Sequence, residues 1–223
     1  KVAAEVGGTP FFDGTCPDCV GTGTAHASTS TRAQSALQYV SGLGTSSITM
    51  AARLTSPFAA GAMPATAKMC YLYAASTMKV RFIWSAGSGT ITASATDGVD
   101  TASISRAPSH SANVPVTAVM RLAWASTLDF NVGGSDAVQV DASAVAAQTI
   151  TRFDPGGDSN PTTWDVGPVI LSPERKSDSW VAAIQANSGA AYSSIPRLVR
   201  DFMTAGDLIV PLQSDSTAYV RMV

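Results

Sequence analysis

Apolar residues recur at every second position through most of this chain, the period of a strand with one buried face. In SITMAARL, Ile48, Met50, Ala52 and Leu54 point one way, and Thr49, Ala51 and Arg53 the other. Lys68–Tyr73 and Met78–Trp84 read as a hairpin; Val80, Phe82 and Trp84 share one face of its second strand, and Lys79, Arg81 and Ile83 share the opposite one. Thr90–Thr96 and Thr101–Ser105 flank Asp97-Gly98, a strong turn signal. Val114–Trp124 is long and apolar enough for a central strand, and Leu128–Val132 follows it and ends at Gly133-Gly134. Ala137–Val140, Gln148–Phe153 and Trp164–Leu171 read as further short strands.

The period changes near the C-terminus. Ser177 can cap a helix running to about Asn187, with Trp180, Val181 and Ile184 on its buried face and Ser188-Gly189 as its stop. Ser194 can cap a second helix, Ile195–Thr204, with Pro196 in its first turn and Gly206 beyond its end. Leu208–Leu212 and Ala218–Met222 close the chain as a strand pair. No helix-period segment lies between Ile48 and Leu171, and parallel strands need crossovers of about a dozen residues or more, usually helical. The pattern therefore predicts an all-β fold: an antiparallel β-sandwich of the concanavalin or laminin-G jelly-roll kind, with one or two short C-terminal helices.

Composition supports a packed domain and removes several functions. The chain has 223 residues, 45% hydrophobic and only 13% charged. At that length folding buries roughly 70–75% of the chain's surface. A net charge of −2 gives no basic face for phosphate backbones, which argues against nucleic acid as a partner. The longest uncharged stretch, Ala33–Ala52, carries Gln34, Gln38, Gly42 and Gly44 and would insert poorly into a membrane. The opening KVAAEVGGTP has neither Met nor the apolar run of a secretory signal, and reads as a processed product or a piece of something longer. Two Glu, Glu5 and Glu174, stand against fourteen Asp, with no Glu-x-Asp-x-x-Glu strand motif of the sandwich-fold glucanases. His26 and His110 lack the flanking residues of a nucleophile elbow or a zinc protease, and no P-loop is present. The expectation is a protein that is not an enzyme.

Three constellations carry candidate chemistry. Cys16-Pro17-Asp18-Cys19 has the spacing of half a zinc site, which His26 and Cys70 could complete, or of a local disulfide or a pair of free thiols on a turn; its loop flanks do not suit a redox centre. Asp154-Pro155-Gly156-Gly157-Asp158-Ser159-Asn160 offers oxygen ligands, Asp154, Asp158 and Asn160, of the type calcium favours, in a composition that also makes an ordinary turn. Trp164 reads first as a buried Trp, but it is the one tryptophan whose context also suits exposure, and with Asp158 and Asn160 it could stack on and hydrogen-bond a sugar; Trp84 and Trp124 sit in core registers, and Trp180 anchors the helix.

GTPFFDG (Gly8–Gly14) followed by GTAHASTSTR (Gly23–Arg32) resembles a junction in minor tail proteins of bacteriophages, especially those of actinobacteria. There a jelly-roll domain ends in an acidic Glu-x-Gly stretch, here Ala4-Glu5-Val6-Gly7, and a laminin-G-like sandwich follows. VRFIW, TASATDG, LDFNVGG, SDSWVAAI and GDLIVPLQSDSTAYV fit that sequel. CPDCVGT stands where the family has acidic residues and a Trp, which points to a tether or subunit contact. The resemblance implies residues 1–34 as an N-terminal arm or the end of a preceding jelly roll, and 35–223 as the sandwich. It further implies a virion structural component of the tail, tail tip or fibre, extracellular, with other tail proteins and further copies, by analogy a trimer, as partners. It carries no catalytic residue. The alternative is a lectin module for host cell-surface glycans, with calcium as the one cofactor to consider.

Overall fold

The computed structural model describes residues 19–21, 30–32, 39–43, 46–62, 66–74, 77, 79–134, 137–154, 165–192, 195–210 and 220–221. Two antiparallel sheets stack face to face. The first has seven strands: β4 (Ser47–Thr55), β9 (Pro115–Ala123), β10 (Thr127–Val132), β11 (Val138–Asp141), β13 (Asp165–Ser172), β14 (Leu208–Val210) and β15 (Val220–Arg221), in the order β11-β10-β9-β4-β13-β14-β15. The second has six: β3 (Tyr39–Leu43), β5 (Ala67–Tyr73), β6 (Lys79–Trp84), β7 (Ile91–Thr96), β8 (Thr101–Arg106) and β12 (Ile150–Asp154), in the order β3-β12-β5-β6-β7-β8. A separate ribbon pairs β1 (Cys19–Gly21) with β2 (Ser30–Arg32). Three helical segments, α1 (Asp178–Ala186), α2 (Ser188–Ala191) and α3 (Ile195–Phe202), lie between β13 and β14.

The alternation read from sequence is the alternation that buries. Ile48, Met50, Ala52 and Leu54 of β4, Val80, Phe82 and Trp84 of β6, and Val116, Ala118, Met120 and Leu122 of β9 all enter one core between the sheets. Phe82 and Phe130 meet there across the sandwich, ring centroids 5.7 Å apart. His110 packs edge-on against Trp84 at 4.3 Å and is a packing residue. Strand β9 is buried on both faces because its other side is also covered. Val119 joins Ala51, Ile170 and Ile209 in a second cluster beneath Val181, Ile184, Tyr192, Leu198 and Phe202 of the helical segment.

A polar row seats those helices. Pairing aligns Gln139, Asp129, Arg121, Thr49 and Ser172 across β11, β10, β9, β4 and β13. Arg121 and Asp129 have side chains only 4% exposed and lie 3.4 Å apart. Arg121 donates to the Lys176 carbonyl at 2.9 Å and to Asp178 at 2.5 Å. Asp129 also takes Gln139 Nε2 at 2.6 Å and the Arg175 guanidinium. Thr49 Oγ1 donates to the Glu174 carbonyl and accepts from Lys176 N–H. Residues 173–178 are thereby stitched to the sheet, and Lys176 reaches on to buried Asp207 at 2.6 Å beyond α3.

Ser177 caps α1 by accepting from Trp180 N–H at 3.2 Å. The Trp180 indole donates to the Phe202 carbonyl at 2.7 Å, tying α1 to α3. α1 ends at Ala186 with Asn187 as its C-cap, as expected, but Ser188-Gly189 open the four-residue α2 instead of leading into a loop. Gly189 is not in the left-handed conformation that a helix-stopping glycine adopts. Both expected helices are present, joined by this short segment.

Truncating Phe82 to Ala should cost about 3–5 kcal/mol, because the cavity sits at the centre of the core; urea unfolding reads it as a lower midpoint with an unchanged slope. Arg121→Ala leaves Asp129 buried beside a partly exposed Arg175 and should cost about 3–5 kcal/mol. In that variant near-ultraviolet circular dichroism from Trp180 should change along with the midpoint.

Candidate functional site

The sandwich's two outer faces differ. Helices cover the seven-stranded sheet; among the described residues no helix lies on the outer face of the six-stranded one. Because Val80, Phe82 and Trp84 turn inward, Lys79, Arg81 and Ile83 turn out. Strand register then assembles rows. Arg152, Tyr73, Lys79, Thr96 and Thr101 form one across β12, β5, β6, β7 and β8. Asp154, Tyr71, Arg81, Ser94 and Ser103 form the next. Lys68, Ile83, Thr92 and Ser105 form a third. Neighbours along a row stand about 4.8 Å apart and rows about 7 Å apart, the sheet's own spacings.

Each end of the rows has its own chemistry. At the β12–β5–β6 end, cations surround two buried tyrosines, whose rings are 5.8 Å apart. Lys79 Nζ lies 5.4 Å from the Tyr73 ring centroid and 5.9 Å from that of Tyr71. Arg152 stacks on Tyr73 at 4.1 Å, and Arg81 lies 5.7 Å from Tyr71. Cations over aromatic faces gain about 0.5–2 kcal/mol each and lose freedom of movement. Asp154 pairs with Arg152 at 3.0 Å. At the β7–β8 end the residues are hydroxylic and mostly open to solvent. Thr92 and Ser105 share a hydrogen bond of 2.8 Å, and Thr96 donates to the Asp100 carbonyl. Ser94 is buried, and its hydroxyl has no hydrogen-bond partner. Such a surface can hold a polar ligand through directed hydrogen bonds and charge.

A second concavity of about 430 Å³ lies beside α1, lined by Arg121, Asn131, Gly134, Asp178, Val181 and Gln185. Its Arg121 donors are committed to Lys176 and Asp178, and Gln185 is spent on the Thr117 carbonyl and Gly134 N–H. Those bonds fasten α1 to the sheet and leave few groups to recognise a ligand.

The residues singled out from sequence are distributed unevenly. Asp154 ends β12 and belongs to the central row, ion-paired with Arg152. Asp158, Asn160 and Trp164 lie outside the described residues, as do Cys16 and His26. Cys19 pairs with Arg32 in the β1–β2 ribbon, and its side chain is outside the description. Cys70, the fourth ligand considered for zinc, is packed among apolar side chains of the main core, where desolvation pushes its thiol pKa up. Among the described residues there is no group of three or more side chains able to hold a metal ion, and no helix long and apolar enough to cross a membrane. Sequence reading placed Lys79 and Arg81 on a shared outward face. It missed Tyr71, Tyr73, Arg152 and Ser94 as their companions, because companionship needs the strand register.

No protein-family model matches the chain, and no curated protein matches it in sequence. Among solved structures, the botulinum neurotoxin serotype G binding domain is similar over 78% of this chain and 43% of that one, with a TM-score of 0.54 and 8% identity. The binding domain of botulinum neurotoxin DC in complex with SialylT is similar over 64% of this chain and 35% of that one, with a TM-score of 0.53 and 4% identity. The native heptameric SAP-like pentraxin from Limulus polyphemus is similar over 66% and 74%, with a TM-score of 0.51 and 10% identity. The chain spans less than half the length of those neurotoxin domains. At these identities the likeness is one of fold, a two-sheet jelly-roll sandwich.

The β7–β8 turn fixes one margin of the face. Gly98 supplies its left-handed residue at φ +98°, and Asp97 accepts from Val99 N–H and Asp100 N–H at 2.8 Å each. The same carboxylate accepts from Ala146 N–H at 2.8 Å, joining the turn to the segment that follows β11. These bonds to the charged form, Ala146's foremost, hold its pKa below the ordinary 3.8. A depressed carboxylate stabilises the fold above its unfolded value, and that contribution disappears as pH falls through the folded value. The Asp97→Asn variant should be less stable than the parent at pH 7, and the gap should narrow below about pH 4. Thermal unfolding scans from pH 7 to 3 measure it.

Proposed function

We propose that this chain is a binding module, working by surface contact and not by covalent chemistry, and that its ligand surface is the outer face of the six-stranded sheet. The observation that carries this reading is the asymmetry of the sandwich: the helical segment occupies one outer face, and the other presents an ordered grid of cations, tyrosines and hydroxyls. Carbohydrate is the ligand class this grid suits best, since a sugar offers many hydroxyls to donors and acceptors held at fixed spacing. The acidic side chains near the grid point the same way. Asp154 is neutralised by Arg152 and Asp97 is consumed by backbone donors, so neither stands as a free acid or base. Binding domains of botulinum neurotoxins, one in complex with SialylT, share the architecture and add support by analogy.

The junction resemblance extends the proposal to a setting: a tail, tail-tip or fibre component of a bacteriophage virion, outside the cell, with host surface glycans as ligand and other tail proteins as neighbours. Further copies of the chain would multiply weak sugar contacts into avidity, and the heptameric SAP-like pentraxin is a fold neighbour that is an oligomer.

Binding to isolated host cell-wall glycans tests the reading. Ser103→Tyr with Ser105→Tyr places bulk on two exposed positions of β8 and should leave stability within about 0.5 kcal/mol. Glycan binding should fall at least tenfold in that variant and stay unchanged in Ala183→Arg, on the exposed side of α1. Equal binding by all three proteins, or none by the parent, overturns it. Peptides of the chain missing from purified particles would remove the virion setting.

A further inference from the structure

We infer that the sheet face selects acidic sugars, with Arg81 and its row as the point where a sugar carboxylate docks. The inference rests on the glycan-binding reading above and adds the ligand's charge. The first argument is placement. The chain carries a net charge of −2, yet Lys68, Lys79, Arg81 and Arg152 gather on three neighbouring strands, where Asp154 is the one carboxylate among the described residues. That carboxylate lies at the far edge of the group, paired with Arg152. A negative protein that concentrates four cations on one face presents a local field of sign opposite to its own total, which raises the local concentration of anions.

The second argument is the state of Arg81. It occupies the middle of the central row, with Tyr71 on one side and Ser94 on the other. Its guanidinium leans on the Tyr71 ring, and among the described residues no carboxylate pairs with it. Its Nε is buried and donates to nothing, and the Ser94 hydroxyl beside it is buried without a partner. Among the described residues the two fully buried bases do have acids: Arg121 has Asp129 and Asp178, and Lys176 has Asp207. A half-buried guanidinium held by an aromatic ring and lacking its anion is preorganised for a planar, two-oxygen partner, and a carboxylate matches that fork. The row continues into Ser103, with Thr101 and Ser105 on either side along β8. A sugar whose acid group meets Arg81 can lay its ring hydroxyls over serine and threonine, which donate to and accept from them.

The decisive experiment titrates the chain with two carboxylated probes, sialyllactose and a hexasaccharide containing glucuronic acid. Lactose and a neutral N-acetylglucosamine hexamer serve as uncharged counterparts. The parent should prefer each acidic probe at least tenfold, and raising the salt from 0.05 to 0.5 M should erode that preference. Arg81→Gln should abolish the preference, costing the acidic probes at least tenfold more affinity than the neutral ones. Arg81→Lys, which keeps the charge and loses the fork, should fall between the two. Thermal unfolding of both variants certifies the fold. Neutral and acidic probes bound equally well, or an unchanged preference in folded Arg81→Gln, would sink this inference and leave the glycan-binding module standing. Loss of all sugar binding only in the Ser103→Tyr, Ser105→Tyr protein, with no effect of charge, has the same meaning. No binding of any sugar by the parent removes both.

Discussion

A single buried guanidinium decides which side of this sandwich is closed. Arg121 projects from the third strand of the seven-stranded sheet and is held by Asp129 beside it. It grips the backbone of Lys176 and the first residue of α1. Two charges taken out of water are costly, and their attraction returns that cost only when the remaining donors and acceptors are satisfied. Here they are met by Gln139, Arg175, Asp178 and the Lys176 carbonyl. What the arrangement secures is position: residues 173–178 can cross β4 and β9 in one register only, and α1 then descends on Val119 and Ile170. With the helices committed there, the six-stranded sheet is the one that can turn a patterned face outward.

The same sheet geometry serves both faces with opposite contents. Inward positions of β5, β6 and β7 are filled by Leu72, Phe82, Trp84, Ile91 and Ala93, so their outward neighbours are free of any packing demand from the core. The pleat sends those neighbours out at fixed intervals, and the hydrogen-bonded ladder sets them in line. Recognition by such a surface draws on the core's rigidity, because the groups that would touch a ligand are spaced by backbone hydrogen bonds and not by loops. Tyr71 and Tyr73 add to this by bracing Arg81, Lys79 and Arg152, so that less side-chain freedom remains to be lost on binding.

Much of the architecture could be read from the order of residues. Alternation located β4 to β14 within one or two positions, Asp97-Gly98 marked a real turn, and Ser177 a real cap. The short strands β1, β2 and β3 went unread, since three to five residues rich in Gly, Ser and Thr carry too little period to register. The short helical segment that opens at Ser188 was not foreseen, because Gly189 does not take the positive φ of a helix-ending glycine. Of the acidic-loop residues proposed to bind sugar or calcium, Asp154 sits where its salt bridge to Arg152 and its row beside Tyr71 can be seen.

The amino-acid sequence by itself determined that the chain is an antiparallel sandwich with a helical C-terminal segment, and which side of each strand faces the core. Hydrophobic period is a local property and survives without knowledge of partners. It also set Lys79 and Arg81 on one outward side. Only the tertiary structure brought Arg152, Tyr73, Tyr71 and Ser94 alongside them, up to 73 positions away along the chain. It alone buried Arg121 with Asp129 under residues 173–178 and packed Cys70 into the apolar core. Register between strands comes from the packing of both sheets at once, and no single segment holds that information.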